Sequence, residues 1–143
     1  MEVFIAGIMQ GSREDHLIVD QDYRTLITKT LAENIKGVSI VDPWILEPDS
    51  VNYDRERARH TFLTNTKLAA KADVLIAYLP QASMGTAIEM WTAFEARVPI
   101  ISVSSLKHNW VIGVTSDLTL PDLESLLDYI KSGRFESEWS GER

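Results

Sequence analysis

Residues 74–79 run from Val74 to Leu79 with no polar break, between Asp73 and Pro80. An apolar run without alternation predicts a strand covered on both faces, as in parallel α/β sheets. Pro80 ends it, because proline cannot donate to a central ladder. Gly85 then allows a sharp turn or a close approach to a ligand. From Thr86 onward, Ala87, Ile88, Met90, Trp91, Ala93, Phe94 and Ala96 predict a largely buried helix. Glu89 lies within it, where a carboxylate is poorly solvated unless it faces a cleft.

The rest of the chain alternates in the same way. Residues 2–6 read as a first strand. The loop Gly7–Arg13 follows, and a helix is expected from near Ser12 to about Asn34, with Ser12 and Asp15 resembling a capping box. Val19, Tyr23, Leu26, Ile27 and Leu31 fall at helical spacing as its core face, and Gly37 is a plausible stop. Val38–Val41 reads as a second strand ended by Asp42 and Pro43. Residues 43–53 look irregular, with two readings open: a substrate lid, or a surface connection whose Trp44 and Ile45 pack on the sheet. A helix is expected from about Asp54 to Lys71, with Ala58, Phe62, Asn65 and Ala69 on one stripe beside Thr61 and Leu68. Pro99–Val103 reads as a strand, Trp110–Val114 as a further strand, and Pro121–Lys131 as an amphipathic helix. The tail reads as frayed or as engaging a partner subunit. This order predicts one domain over 1–143: a doubly wound, mainly parallel α/β sheet with helices on both faces. Ligands of such sheets bind beyond the carboxyl ends of the strands. The Gly7–Arg13 loop, Asp42 and the loop before Glu89 lie at such ends.

Composition narrows the chemistry. With no cysteine among 143 residues, disulfides, thiolate metal sites and cysteine nucleophiles are excluded. The net charge of −7 argues against sequence-independent binding to a nucleic-acid polymer. His16, His60 and His108 show no zinc-site spacing, so no metal is expected, and no cofactor either. The start, MEVFIAGIM, lacks a basic n-region, and no apolar stretch is long enough to cross a bilayer. A cytoplasmic protein without a signal peptide or membrane association is expected.

Two sites carry candidate chemistry. Backbone N–H groups of the Gly7–Arg13 loop at a helix N-terminus would form an anion site, although the pattern is neither a Walker motif nor GxGxxG. Glu89, if desolvated, ionised and at a cleft, could attack an electrophilic carbon; its other reading is a salt-bridged or solvated helix glutamate. Ser83 also reads as a helix N-cap.

AGIMQGSRED at 6–15 and ADVLIAYLPQASMGTAIEM at 72–90 together resemble the nucleoside 2-deoxyribosyltransferase superfamily. The closer match is its branch of nucleoside 5′-monophosphate N-glycosidases, and the similarity spans roughly residues 2–105. The resemblance implies a Rossmann- or flavodoxin-like fold. It also implies that Glu89 is a nucleophile attacking the anomeric carbon of a ribosyl or deoxyribosyl group. Ser83, Gly85 and the stretch Gln10, Gly11, Ser12 and Arg13 would hold the substrate, with Ser83 and the 11–13 backbone at the 5′ end. Gly7 would let the sugar come close. A homodimer or larger assembly, with a neighbouring subunit helping to close the site, is implied too. The apolar helix at 84–98 and the Trp139 tail are candidate contacts.

The chain departs from that pattern at three positions. Ile8 stands where the monophosphate hydrolases usually carry serine, Gln10 where they carry arginine, and Asn65 where the family commonly has aspartate. Asparagine can hydrogen-bond a base edge but cannot be a general acid. Asp42, Asp54 and Tyr53 are the candidate proton donors. Tyr78 and Trp91 could stack on a base or pack in the core. The departures leave a second reading, a nucleotide-binding module with little catalysis, and a third, cleavage of NAD-like dinucleotides.

Overall fold

The computed structural model describes residues 1–10, 14 and 18–141. Among them, five strands form one parallel sheet: β1 (Glu2–Gly7), β2 (Ser39–Val41), β3 (Val74–Tyr78), β4 (Ile100–Val103) and β5 (Leu118–Leu120). Their spatial order is β2-β1-β3-β4-β5. The chain leaves β1 toward one edge and returns to pair β3 on its other side, so the switch point falls between β1 and β3, where a crevice opens at the carboxyl ends. The doubly wound α/β architecture is as the sequence predicts.

Among the described residues, seven helices accompany the strands: α1 (Asp22–Asn34), α2 (Pro43–Leu46), α3 (Arg55–Ala69), α4 (Met84–Glu95), α5 (Trp110–Thr115), α6 (Leu123–Lys131) and α7 (Arg134–Trp139). Side chains of a strand alternate between faces, and β1 shows it. Val3 and Ile5 join a core with Ile27 and Leu31 of α1, Leu126 and Ile130 of α6, and Phe135 of α7. Phe4 and Ala6 join a second core with Ala69 of α3, Met90 and Ala93 of α4, and Ile112 of α5.

Several expectations need correction. The first helix starts at Asp22, so Val19 lies before it rather than on its core face. Leu26 is half-exposed, while Tyr23, Ile27 and Leu31 are buried as expected. The expected Ser12 cap lies outside the described residues. Residues 43–53 hold the short helix α2 and a 3₁₀ turn at Ser50–Asn52; Ile45 faces solvent instead of packing on the sheet. Residues 110–114 are helical, because the Asn109 side chain caps the Ile112 N–H at 3.3 Å. The fifth strand is the three-residue segment after that helix. The tail is not frayed up to Trp139: Phe135 is fully buried, and the Trp139 indole N–H donates to the Tyr129 hydroxyl at 2.8 Å.

Candidate active site

The crevice at the switch point is a cavity of about 310 Å³, bounded by the end of β1, by α1, α3 and the start of α4. That volume is at the lower end of the range for small-molecule sites. Gly7, Met9 and Gln10 supply the β1 side. Ala58, Thr61, Phe62 and Asn65 supply one face of α3, at i, i+3, i+4 and i+7. Ser83, Gly85, Thr86 and Glu89 supply the first turns of α4, and Ser50 reaches in from the 3₁₀ turn.

The β1 rim is built by α1. Strand β2 pairs with β1 only as far as Phe4, opposite Val41. Beyond that point the β1 carbonyls on this side need other donors. Arg24 provides them: Nη1 donates to Ile5 O at 2.9 Å and Nη2 to Gly7 O at 3.0 Å. The Tyr23 hydroxyl and the Gln21 amide both donate to Ile8 O, at 3.1 and 3.0 Å. A Cβ at Gly7 would stand 2.9 Å from the Tyr23 ring carbon Cζ, so glycine is required there by Tyr23 as well as by the cavity.

The α4 wall follows from its cap. Ser83 Oγ accepts from the Thr86 N–H at 3.4 Å and from the Thr86 hydroxyl at 3.0 Å. Ser83 therefore is an N-cap, and it still lines the cavity. The cap sets the helix phase that turns Gly85, Thr86 and Glu89 to the same side. No side-chain atom of any described residue hydrogen-bonds or ion-pairs with the Glu89 carboxyl. Burial raises its pKa from 4.5 to about 8, the nearby Arg24 charge pulls it down, and Asp42 pushes it up. The surface salt bridge that would have emptied Glu89 of chemistry is absent among the described residues.

Asp42 takes a different place from the one expected. It is buried behind Arg24 and is not on the cavity wall. Its Oδ1 accepts from Arg24 Nη1 at 2.8 Å and from the Trp44 N–H at 3.0 Å. An acid so engaged cannot reach a leaving group. Asp54 caps α3 by accepting the Arg57 N–H at 2.8 Å, and Tyr53 donates to Glu47 and accepts from Arg57. Neither lines the cavity. Asn65 does line it, with a side chain unengaged among the described residues. Ile8 is fully buried and off the wall, so serine's replacement there removes no cavity group.

Gln10 and Gly85 are on the wall, whereas Gly11, Ser12 and Arg13 lie outside the described residues. Tyr78 packs against Tyr23 with ring centroids 4.3 Å apart, as core packing requires. Trp91 is half-exposed and away from the cavity. Sequence reasoning missed Arg24. Its signal was positional: residues 24, 27 and 31 share one buried stripe of α1, and a charge there needs a buried partner.

The whole architecture now bears comparison. A 2-deoxyribosyltransferase from Bacillus psychrosaccharolyticus superposes with a TM-score of 0.65 over 90% of this chain and 92% of its own, at 14% identity. The chain has the fold of a 2-deoxyribosyltransferase. A conserved protein from Enterococcus faecalis V583 matches with a TM-score of 0.63 at 17% identity, over 92% of this chain and 98% of that one. A CMP N-glycosidase from Clostridium botulinum matches with a TM-score of 0.56 at 17% identity, over 92% and 99%. No protein-family model matches the sequence, and no curated protein does. Among the described residues, no group of three or more metal-ligating side chains could hold an ion, and no helix is long and apolar enough to cross a membrane.

Proposed function

We propose that this protein cleaves or transfers the N-glycosidic bond of a (deoxy)ribonucleoside or its 5′-monophosphate, with Glu89 as nucleophile. The observation that carries this reading is the Glu89 carboxyl: on the wall of the switch-point cavity, desolvated, and without a protein partner among the described residues. A protein that keeps such a group uncompensated gives up stability for it, which is the usual signature of chemistry. In the proposed reaction a Glu89 oxygen bonds to the anomeric carbon as the bond to the base nitrogen breaks, and the base leaves with that electron pair. Water or a second base then attacks the same carbon and frees the carboxylate. The oxocarbenium character of the transition state is stabilised by the facing negative charge.

Protonation of the leaving base separates this site from a two-carboxyl glycosidase. Among the described residues, Glu89 and Arg24 are the only ionisable groups on the wall. Asn65 can donate a hydrogen bond to a departing base but no proton. Turnover is therefore expected to favour bases, or artificial leaving groups such as 4-nitrophenolate, that depart as stable anions or already carry a positive charge.

The test is to incubate the protein with nucleosides, their 5′-monophosphates and a 4-nitrophenyl riboside, with and without acceptor bases, and to assay released base by chromatography. Base release lost in Glu89→Ala supports the proposal. No release by the wild type, or equal release by Glu89→Ala, discards it. Release without exchange selects hydrolysis over transfer. Arg13 is proposed to hold a 5′-phosphate, so Arg13→Ala should impair monophosphates more than nucleosides. The second reading, a binding module, is favoured by Asn65 and by the lack of a second acid on the described wall. It predicts thermal stabilisation by a nucleotide with no product.

A second copy of the chain is proposed to pack on the outer face of α3 and α4. Leu63, Ile88, Trp91 and Phe94 are each 41–50% exposed on these two helices, and Phe62, on the cavity wall, is 42% exposed; large exposed apolar groups of this kind mark interfaces. The Trp139 side chain packs partly against the core beside α6 and hydrogen-bonds Tyr129, and its exposed part remains a second candidate contact. Sedimentation showing only monomer at micromolar concentration would exclude the assembly.

A further inference from the structure

We infer that Arg24 is a positioning residue for Glu89: four hydrogen bonds lock its guanidinium beside the cavity that both residues line, and Asp42 tempers the charge it presents there. A guanidinium has five N–H groups in a fixed fork. Nε donates to Gln21 Oε1 at 2.7 Å; Nη1 donates to Ile5 O at 2.9 Å and Asp42 Oδ1 at 2.8 Å; Nη2 donates to Gly7 O at 3.0 Å. One N–H of Nη2 is left over among the described residues, and the residue lines the same cavity as Glu89. Arg24 is only 2% exposed and is the one buried cation among the described residues. Its charge cannot swing away or be screened by water, so its effect on a nearby carboxyl is fixed by the fold.

Asp42 is bound in an unusual way that makes the inference testable. Its Oδ1 takes both hydrogen bonds, from Arg24 and from the Trp44 N–H. Its Oδ2 is buried with no partner among the described residues. An asparagine in the same rotamer keeps both accepted bonds on its oxygen, removes the charge and puts an amide NH2 where Oδ2 stood; the Arg24 charge then loses its ionic partner, which is why circular dichroism accompanies the comparison. The groups that bear on Glu89 are Arg24 and Tyr23 from α1 and Asp42 from the end of β2; α3 presents the neutral Thr61 and Asn65. Arg24 favours the carboxylate and Asp42 opposes it, with Arg24 the larger influence. The pair thus gives Glu89 a net positive neighbour whose size is set by Asp42. For turnover this rests on the proposal that Glu89 is the nucleophile; for the ionisation of Glu89 it stands alone.

The experiment follows the Glu89 side-chain carboxyl by carbon-13 NMR across pH, assigned by its loss in Glu89→Gln. The wild type, Asp42→Asn and the double variant Arg24→Met/Asp42→Asn are compared, with circular dichroism reporting the fold. The expected order of midpoints is Asp42→Asn lowest, wild type next, double variant highest. Asp42→Asn should separate from the double variant by about one pH unit or more. Coincident midpoints in folded proteins, or the reverse order, overturn the inference. If the double variant does not fold, Asp42→Asn against wild type decides alone. In turnover assays, Asp42→Asn should move the alkaline-rising limb of kcat to lower pH with KM little changed. A merely structural role would lower kcat at every pH without moving the limb. A wild type that turns nothing over would sink the proposed function, while the NMR midpoints would still judge Arg24.

Discussion

Two acids stand at the carboxyl end of the sheet, and they live in opposite ways. Asp42 is buried with an arginine and a backbone N–H as donors. Glu89 borders a cavity with no donor among the described residues. Asp42 is buried and Glu89 only partly so, yet only Asp42 has protein donors, both on Oδ1. A buried pair holds parts in register, here β1, β2 and α1; a desolvated acid without a partner waits for one. The contrast separates a carboxyl that serves the fold from one that serves a ligand, and neither residue type nor position at a strand end would have done so.

The sharpest way to break this contrast is to swap each acid for a neutral residue and measure both activity and stability. Under the proposed mechanism, Glu89→Gln should lower kcat about a thousandfold or more, roughly 4 kcal/mol of transition-state stabilisation. Initial rates on the best nucleoside of the panel check this. A loss of only a few fold would place the nucleophile elsewhere. Asp42→Ala should instead cost about 3–5 kcal/mol of stability, because it strands the Arg24 charge in the interior. Urea denaturation measures it. A cost under about 1 kcal/mol would mean that Arg24 finds water or another acceptor, and that the pair is not the anchor.

The stability effect of Glu89→Gln has the other sign and depends on pH. The folded protein raises this carboxyl from 4.5 to about 8 through desolvation, so the native state holds the proton more tightly than the unfolded chain. Its contribution to stability is then fully present below about pH 4.5 and is lost as pH rises through about 8. Relative to wild type, Glu89→Gln should gain stability across that window and hold a constant lead above it. Part of the side chain is accessible, which reduces the effect to about 1–3 kcal/mol. Melting curves at pH 5, 7 and 9 check the sign. A lead that shrinks with pH would mean that the carboxylate is compensated after all.

How much of this was legible beforehand depends on whether the cause was local. The run at 74–79 announced a central parallel strand, because burial on both faces shows directly in composition. Glu89 and Gly85 were legible because the turn after that strand fixes where they point. Residues 110–114 misled, since Val111, Ile112 and Val114 read as strand while the Asn109 cap imposes a helix. The apolar residues at 87–96 predict a largely buried helix, with Trp91 open to base stacking or core packing, and α4 leaves Trp91 and Phe94 half-exposed: hydrophobicity reports a wish for cover, not which surface supplies it. The role of Asp42 was hidden for the converse reason. It depends on Arg24, eighteen residues away in sequence, and only the β1 carbonyls left bare by the short β2 bring the two together.

The same contrast recurs in miniature between two glycines of the wall, and it gives the smallest expected effects. A Cβ on Gly7 would collide with the Tyr23 hydroxyl and ring, whereas one on Gly85 meets no atom of the described residues within 4 Å. Gly7→Ala should therefore displace Tyr23, which also holds Ile8 O, and cost about 1–3 kcal/mol by overpacking. Gly85 sits in the first turn of α4 with room around it. Gly85→Ala should stabilise by about 0.5–1 kcal/mol, since alanine loses less backbone entropy in a helix. Its added methyl would enter space on the cavity wall, so KM should rise even as the melting temperature does. Stability up with KM unchanged would mean that the ligand does not approach α4 at its first turn. Stability down would mean that the open space belongs to another part of the chain, and that the wall beside Glu89 is shaped by protein rather than kept clear for a substrate.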